Sequence, residues 1–272
     1  KDDEDSAIID ELRQLIEPQV LRRMKHDVAE LPAKHEVNDC KNIEISMLQR
    51  TLYKQVTNDC RSLSEQGHKG VMLTALHSMR MICAHPLKLQ EQATIKDSPK
   101  AEWLIDTLET IKQKDEKVII FTEFRPIQVF LKRLLLERYG LNVTTVNGDS
   151  NTNSRRGLTR QGIIDKFQEV NGFNVIILST VAVGFGVNIQ KANHVIHYTR
   201  SWNPAKEDQA TDRAYRIGQD KEVYVYYPSI AATDFETFEI KLDKLLSSKR
   251  SLADDMLKPN VELTQELIQS IY

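Results

Sequence analysis

The chain is predicted to be an α/β fold, a twisted parallel sheet wound by helices, with a helical region before it and charged helices after it. Three observations carry this prediction. Val118-Ile119-Ile120-Phe121 and Val175-Ile176-Ile177-Leu178 are short, continuously apolar runs, as expected of strands covered on both faces. Stripes at helical spacing separate such runs, which gives the strand–helix–strand order of a parallel sheet with right-handed connections. The 272 residues are 40% hydrophobic and 28% charged with only 10 glycines, a folded composition sufficient for one large domain or one domain plus an appendage.

The first hundred residues read as helices. Ile8, Ile9, Leu12, Leu15 and Ile16 recur at helical spacing, and Pro18 closes or kinks that segment. Leu48, Leu52, Tyr53 and Val56 form a second stripe. Val71, Leu73, Leu76, Met79 and Ile82 form a third, which ends before His85-Pro86 because proline disfavours helix at the residue preceding it. The basic stretch Leu21-Arg22-Arg23-Met24-Lys25 and the following Leu31-Pro32-Ala33-Lys34 read as a solvated loop or helix face. Ser98-Pro99 supplies an N-cap and a first helical residue, and Trp103, Leu104, Leu108 and Ile111 form the buried face behind them.

The strand at Val118–Phe121 comes next, then a helix with Val129, Phe130, Leu134 and Leu135. A short strand at Val143–Val146 leads into the polar turn Asn147-Gly148-Asp149-Ser150-Asn151, and a helix runs through Ile163, Ile164 and Phe167. Val175–Leu178, His194–Tyr198 and Val223–Tyr227 are the remaining strands, with a polar helix over Lys206–Arg216. A charged helical tail follows from Asp234 (Phe238, Leu242, Leu245, Leu246, then Leu252 and Met256). The implied division is 1–97 helical linker and protrusion, 98–228 sheet domain, and 229–272 C-terminal helices.

The formal net charge of −2 excludes a global basic field, so any nucleic-acid site must be a local patch. Cys40, Cys60 and Cys83 are few and widely spaced, and read as reduced structural thiols of an intracellular protein. No apolar run reaches the ~20 residues needed to span a bilayer, and no secretory segment is visible. Lys1 in place of Met suggests a processed chain or a piece of a longer protein.

Ligands on an open parallel sheet bind beyond the C-terminal strand ends, and three segments qualify. In Thr122-Glu123-Phe124-Arg125 a hydroxyl and an arginine just past a buried strand suit a phosphate contact, or an ordinary surface loop. In Ser179-Thr180-Val181-Ala182-Val183-Gly184-Phe185-Gly186-Val187-Asn188 two hydroxyls and two glycines offer donors and approachable backbone amides, or a plain turn. In a helix over Pro204–Gln219, Gln209, Asp212, Arg213 and Arg216 would share one face. That face is either an anion-binding surface able to stabilise a transferring phosphoryl group, or an exposed helix with an Asp212–Arg216 ion pair. His194 and His197, three apart on a strand, point to opposite faces and do not share a metal. Met72, Met79 and Met81 read as core.

Gln209-Ala210-Thr211-Asp212-Arg213-Ala214-Tyr215-Arg216-Ile217-Gly218-Gln219 resembles the last conserved motif of the Swi/Snf-type branch of helicase superfamily two. Val118–Arg125, Leu178–Asn188 and Ser201-Trp202-Asn203-Pro204 resemble neighbouring motifs of that family in the right order. Leu21–Val28 with Leu31–Lys34, Ile82-Cys83-Ala84-His85-Pro86 and the segment after Asp234 resemble its lobe entry, helical protrusion and brace helices. The resemblance implies a RecA-like C-terminal motor lobe of an ATP-dependent double-stranded-DNA translocase. Arg213 and Arg216 would be arginine fingers supported by Gln209. Gly184, Gly186, Asn188 and Asp212 would line the nucleotide side. Thr122, Arg125, Asn147, Gly148, Ser179 and Thr180 would meet DNA, and Trp202 would lie near the DNA or couple it to the cleft. Arg155, Arg156 and Arg160 either extend that patch or form a solvated helix start. Val183 stands where the family has the first of two adjacent glycines, and Asn147 where it has histidine.

No Gly-x-x-x-x-Gly-Lys-[Ser/Thr] and no Asp-Glu-x-His is present, so ATP with Mg²⁺ would be held mainly by an N-terminal lobe, and this chain alone would be inactive. The resemblance implies double-stranded DNA and that lobe as partners, no membrane, and an intracellular location, nucleoid in a bacterium or nucleus in a eukaryote. The compact lobe leans bacterial, and the remodelled target stays open. Two other readings remain: a DNA or protein platform without ATP coupling, and a Rossmann-like nucleotide enzyme. The second expects a glycine fingerprint where Thr122-Glu123-Phe124-Arg125 stands.

Overall fold

The computed structural model describes residues 31–88, 91, 93–147, 159–180 and 186–255, with side chains to residue 250. The helix expected around Ile8–Ile16, the basic stretch Leu21–Val28, Gly148 with Arg155 and Arg156, Val183 with Gly184, the Leu252 side chain and Met256 lie outside the described residues.

Six strands form one parallel sheet: β1 (Lys34–Val37), β3 (Lys117–Phe121), β4 (Thr145–Val146), β5 (Asn174–Leu178), β6 (His194–His197) and β7 (Val223–Tyr226). Their spatial order is β1-β7-β6-β3-β5-β4. A separate parallel pair joins β2 (Ile43–Glu44) to β8 (Ile230–Ala231). Period-2 geometry sends alternate residues of β3 to opposite faces. Val118 and Ile120 pack under α3 (Pro99–Gln113) and α4 (Arg125–Tyr139), against Leu104, Leu108, Leu131 and Leu135. Ile119 and Phe121 pack against Ile164 and Phe167 of α5 (Arg160–Glu169) and Ala210 of α6 (Pro204–Thr211). Each of the fully buried Val, Leu, Ile and Phe side chains among these contributes roughly 1.5–3 kcal/mol.

A third core lies away from the sheet. α1 (Met47–Glu65) and α2 (Val71–Ala84) form a hairpin, against which α7 (Phe238–Asp255) packs through Phe238, Leu242 and Leu246. Ser46 and Gln49 make a reciprocal capping box at the start of α1, and Gln49 also donates to the Ile82 carbonyl at 2.7 Å, tying the two helices. α2 stops where expected, since His85, before Pro86, is extended at φ −173° and ψ 133°.

Several expectations change. The reading of the first hundred residues as helices misses β1 and β2. In β1, Lys34, His35 and Glu36 are exposed and only Val37 is half-buried, so this edge strand has no apolar run to announce it. The strand expected over Val143–Val146 is confined to Thr145–Val146. Ser98 stands at the N-cap of α3, but its hydroxyl donates to the Ala84 carbonyl at 3.3 Å rather than capping. Val129 of α4 is 68% exposed. The helix expected over Pro204–Gln219 ends at Thr211. Among the described residues, no helix is long and apolar enough to cross a membrane.

Candidate functional site

Strand register builds the site. Phe121 lies level with Leu178 and with His197, and Val146 lies level with Leu178. The chain therefore leaves four neighbouring strands at one height. Backbone bonds continue one step further: Thr122 N–H to Leu178 O (3.0 Å), Ser179 N–H to Val146 O (3.0 Å) and Thr199 N–H to Phe121 O (3.4 Å). Asn147, Ser179, Thr122 and Thr199 thus share one rim. Between β5 and β6 the chain crosses over β3, so the rim sits at the point where strand order reverses.

Side chains at this rim are held, not loose. Thr122 is fully buried, and its hydroxyl accepts a bond from Thr199 at 3.0 Å. Gln128 donates to the Thr122 carbonyl at 2.8 Å and accepts from Asn147 Nδ2 at 3.3 Å. Ser179 and Thr180 are each 6% exposed, and the Thr180 hydroxyl donates to Glu123. Arg125 opens α4 and is exposed. Trp202 lies off the rim, its ring edge-on to Phe238 at 5.3 Å in the third core. Arg160, the third basic residue of the proposed extension, is buried at the start of α5.

The arginine-bearing segment lies on a second rim. Asp212 is the C-cap of α6, and tight turns follow, with Arg213 N–H bonded to Ala210 O (3.1 Å) and Arg216 N–H to Ala214 O (3.1 Å). Gln209, Asp212, Arg213 and Arg216 consequently do not share a helical face. Two acceptors needed to continue the helix are diverted. Arg213 O takes the Ile189 amide at 2.9 Å, and Ala214 O takes Gln219 Nε2 at 3.2 Å. Gln219 also donates to the Gln190 and Ala192 carbonyls, at 2.9 Å each, and Gly218 completes the turn at φ +96°. The segment is thereby pinned along the loop that leads into β6.

Pinning brings Arg216 to Asn188, whose side-chain oxygen accepts from Nη1. Arg216 thus meets Asn188 rather than Asp212. Arg213 Nε is buried with no hydrogen-bond partner among the described residues. Gly186 is exposed at φ +77° with open space around it, Gln209 is exposed, and Ile217 is 69% exposed. The loop carrying Gly186 and Asn188 and the segment carrying Arg213 and Arg216 therefore lie against each other through the Asn188–Arg216 and Ile189–Arg213 bonds, while Gln209 belongs to α6 and Asp212 caps it.

Residues without a sequence signal hold α6 in place. Glu207 is fully buried and accepts from Arg200 Nε (2.9 Å), Arg200 Nη2 (3.0 Å), the Ser201 amide (2.8 Å) and Arg250 Nη2 (2.9 Å). Burial would raise its pKa, but the Arg200 charge and its bonds outweigh that and hold the carboxyl below its ordinary value. Arg200 also binds Asp243 and lies 4.2 Å from the Tyr227 ring centroid. Glu207 stands within a polar run and Arg200 just past a strand, so neither periodicity nor a motif marks them. His197 reaches the end of α6 as well, through Thr211 Oγ1 at 2.9 Å, and burial lowers its pKa to about 4. His194 binds Glu116 (2.7 Å) and Tyr226 (3.0 Å) instead, so the two histidines serve different faces.

Residues 99–218 match the helicase conserved C-terminal domain family. The chain is 50% identical over 97% of its length to Zorya protein ZorD of Escherichia coli O139:H28, covering 25% of that protein. It is 37% identical over 99% of its length to the putative ATP-dependent helicase/translocase YwqA of Bacillus subtilis, covering 29% of it. The Sulfolobus solfataricus SWI2/SNF2 ATPase core in complex with double-stranded DNA superposes with a TM-score of 0.66 at 30% identity, over 91% of this chain and 52% of that one. The chain thus spans about a quarter of the length of the curated relatives it matches.

Proposed function

The chain belongs to the Swi/Snf-type helicase family as a C-terminal lobe, and from that premise we propose that it is half of an ATP-dependent double-stranded-DNA translocase. The observation that carries this reading is the pinned segment Arg213–Gln219. It holds two half-buried arginines side by side, and among the described residues Arg213 Nε has no partner and Arg216 is bonded by a neutral asparagine. A guanidinium with unused donors is suited to an anion supplied from outside the lobe, such as the γ-phosphate of a bound nucleotide.

Arg213 and Arg216 would act as arginine fingers, with Gln209 and Asp212 supporting them from the end of α6. Gly186 and Asn188, with Gly184 beside them in sequence, would line the nucleotide side, where an open glycine lets a ligand approach the backbone. Among the described residues no group of three or more His, Cys, Asp or Glu side chains converges to hold a metal. Mg²⁺ would come with the nucleotide on the N-terminal lobe. When bound there, it would neutralise phosphate charge.

The other rim would track the DNA backbone through Arg125, Asn147, Ser179 and Thr180, with Gly148 and Arg155 extending it. Contact with phosphates rather than base edges gives sequence-independent movement. Thr122, being buried, would position the rim rather than touch DNA, and Trp202 would couple it to the rest of the lobe. Closure of two lobes around ATP would then shift these contacts along the duplex. The test is steady-state ATP turnover with and without duplex DNA. DNA-stimulated turnover is expected for the full-length protein and none for this chain alone. Arg213→Ala should lower the full-length rate by about 10³-fold or more. Turnover by the isolated chain, or an unchanged Arg213→Ala rate, would favour a platform without ATP coupling.

A further inference from the structure

Arg80 lies near the end of α2, outside both rims, yet it touches the elements that carry them. Its guanidinium carbon sits 4.8 Å from the Phe124 ring centroid and 5.2 Å from that of Trp202, between two aromatic side chains. Nη2 donates to the Arg200 carbonyl at 2.8 Å. His77, one turn earlier on α2, meets Phe124 edge-on at 5.3 Å.

Each contact leads onward. Phe124 sits between Glu123, which fixes the Thr180 hydroxyl, and Arg125. On the other side, Arg200 grips Glu207 with two bonds, and Glu207 belongs to α6, which runs into the Arg213–Gln219 segment. A contiguous set of contacts thus joins the proposed DNA rim to the arginine segment, and Arg80 is its crossing point. A broad, weakly hydrated guanidinium can lie over two rings while one of its five donors reaches the Arg200 carbonyl. Lysine would keep the charge and a donor but present a compact, strongly hydrated head that cannot cover both rings.

We propose that Arg80 is a positioning residue that couples DNA on the first rim to the arginine segment, by clamping Phe124 and Trp202 in one fixed arrangement. The role rests on the reading of the two rims given above and adds to it a coupling function for the helical protrusion. A duplex that shifts the Thr122–Arg125 loop would move the clamp, and with it the backbone at Arg200 that precedes α6.

The test is ATP turnover by the full-length protein, titrated with duplex DNA, for wild type, Arg80→Met, Arg80→Lys and Phe124→Leu. Arg80→Met should lower the DNA-stimulated kcat by about tenfold, within the range found for coupling residues. KM for DNA and KM for ATP should change much less, since Arg80 touches neither. Arg80→Lys should not rescue. Phe124→Leu, which leaves α2 intact, should reproduce the loss and serves if Arg80→Met folds poorly. The double variant should be no worse than Arg80→Met alone, because both changes open the same clamp. Wild-type stimulation in Arg80→Met, a loss that appears entirely as a higher KM for DNA, or full rescue by lysine would each overturn the proposal. A wild-type protein without DNA stimulation would instead defeat the motor reading itself, and the control alone reveals that case.

Discussion

Replacing Arg200 by methionine should cost the fold about 3 kcal/mol, and the ligands of Glu207 show why. The Glu207 side chain is 0% exposed and that of Arg200 1%. Four donors converge on the carboxylate, and Arg200 supplies two of them at 2.9 and 3.0 Å. Methionine fills most of the volume but strands the charge on the Ser201 amide and Arg250, which is itself 26% exposed. Removing one partner of a buried pair costs about 3–5 kcal/mol, and the two surviving donors place this site at the lower end. Asp243, 19% exposed, loses a partner but has access to water, so it adds little. The diagnostic comparison is Arg200→Met/Glu207→Gln. With the carboxylate neutralised, no buried charge is stranded, and the double variant should recover to within about 1–2 kcal/mol of wild type. Urea unfolding followed by circular dichroism and tryptophan emission measures all three proteins. A single variant that loses less than about 1 kcal/mol, or a double variant no more stable than the single, would refute the view that Glu207 depends on Arg200.

Two further perturbations probe other parts of the lobe. His197 and His85 both have pKa values lowered by burial from 6.5 to about 4. As pH falls, the unfolded chain takes up these protons first, so stability is intact above about 6.5 and lost progressively towards 4, by up to about 3 kcal/mol per histidine. Glu116, held near 2 by bonds from His194, Asn193 and Lys221 that outweigh its burial, loses its contribution in a separate window below about 4.5. Urea midpoints at pH 7, 5.5 and 4.5 should therefore fall steadily, and His197→Asn should flatten that slope; a level wild-type profile would contradict the assignment. Gly218→Ala forces a side chain into φ +96° with its Cβ 3.1 Å from Gln190, and should destabilise by about 1–2 kcal/mol and displace the turn that carries Arg216. Equal stability and equal ATP turnover in the full-length protein would show that this turn conformation is not needed.

Most of the sheet was legible because buried parallel strands are continuous apolar runs. Val118–Phe121 and Val175–Leu178 needed no context to be found, and the alternating helical stripes gave the parallel winding. β1 was not legible, because an edge strand with three exposed polar residues has no one-dimensional signature, and only its pairing with β7 makes it a strand. The rim residues were found through their places after strand ends, but burial of Thr122 depends on Thr199, seventy-seven positions away, and no local pattern carries that. Gln128, Arg200, Glu207 and Arg80 escaped for the same reason: each matters through a partner brought to it by the fold.

The shape of the arginine segment is the clearest case of tertiary override. The sequence from Pro204 to Gln219 has no internal proline, and its one glycine lies next to last, so local propensity alone would carry a helix through Arg213 and Arg216. The Ile189 amide and the Gln219 side chain instead take carbonyls that a longer helix would use. Helix continuation would put Arg213 and Arg216 on one face of α6, whereas the pinned turns move Arg216 to Asn188 on the loop after β5. That same loop begins at Ser179 and Thr180 on the other rim. One short segment therefore touches both proposed sites, and α6, gripped by Arg200 and Arg250 at Glu207, forms the second connection between them. Two connections between the proposed DNA rim and the two arginines are what the lobe would need if DNA on one side is to govern the chemistry proposed on the other.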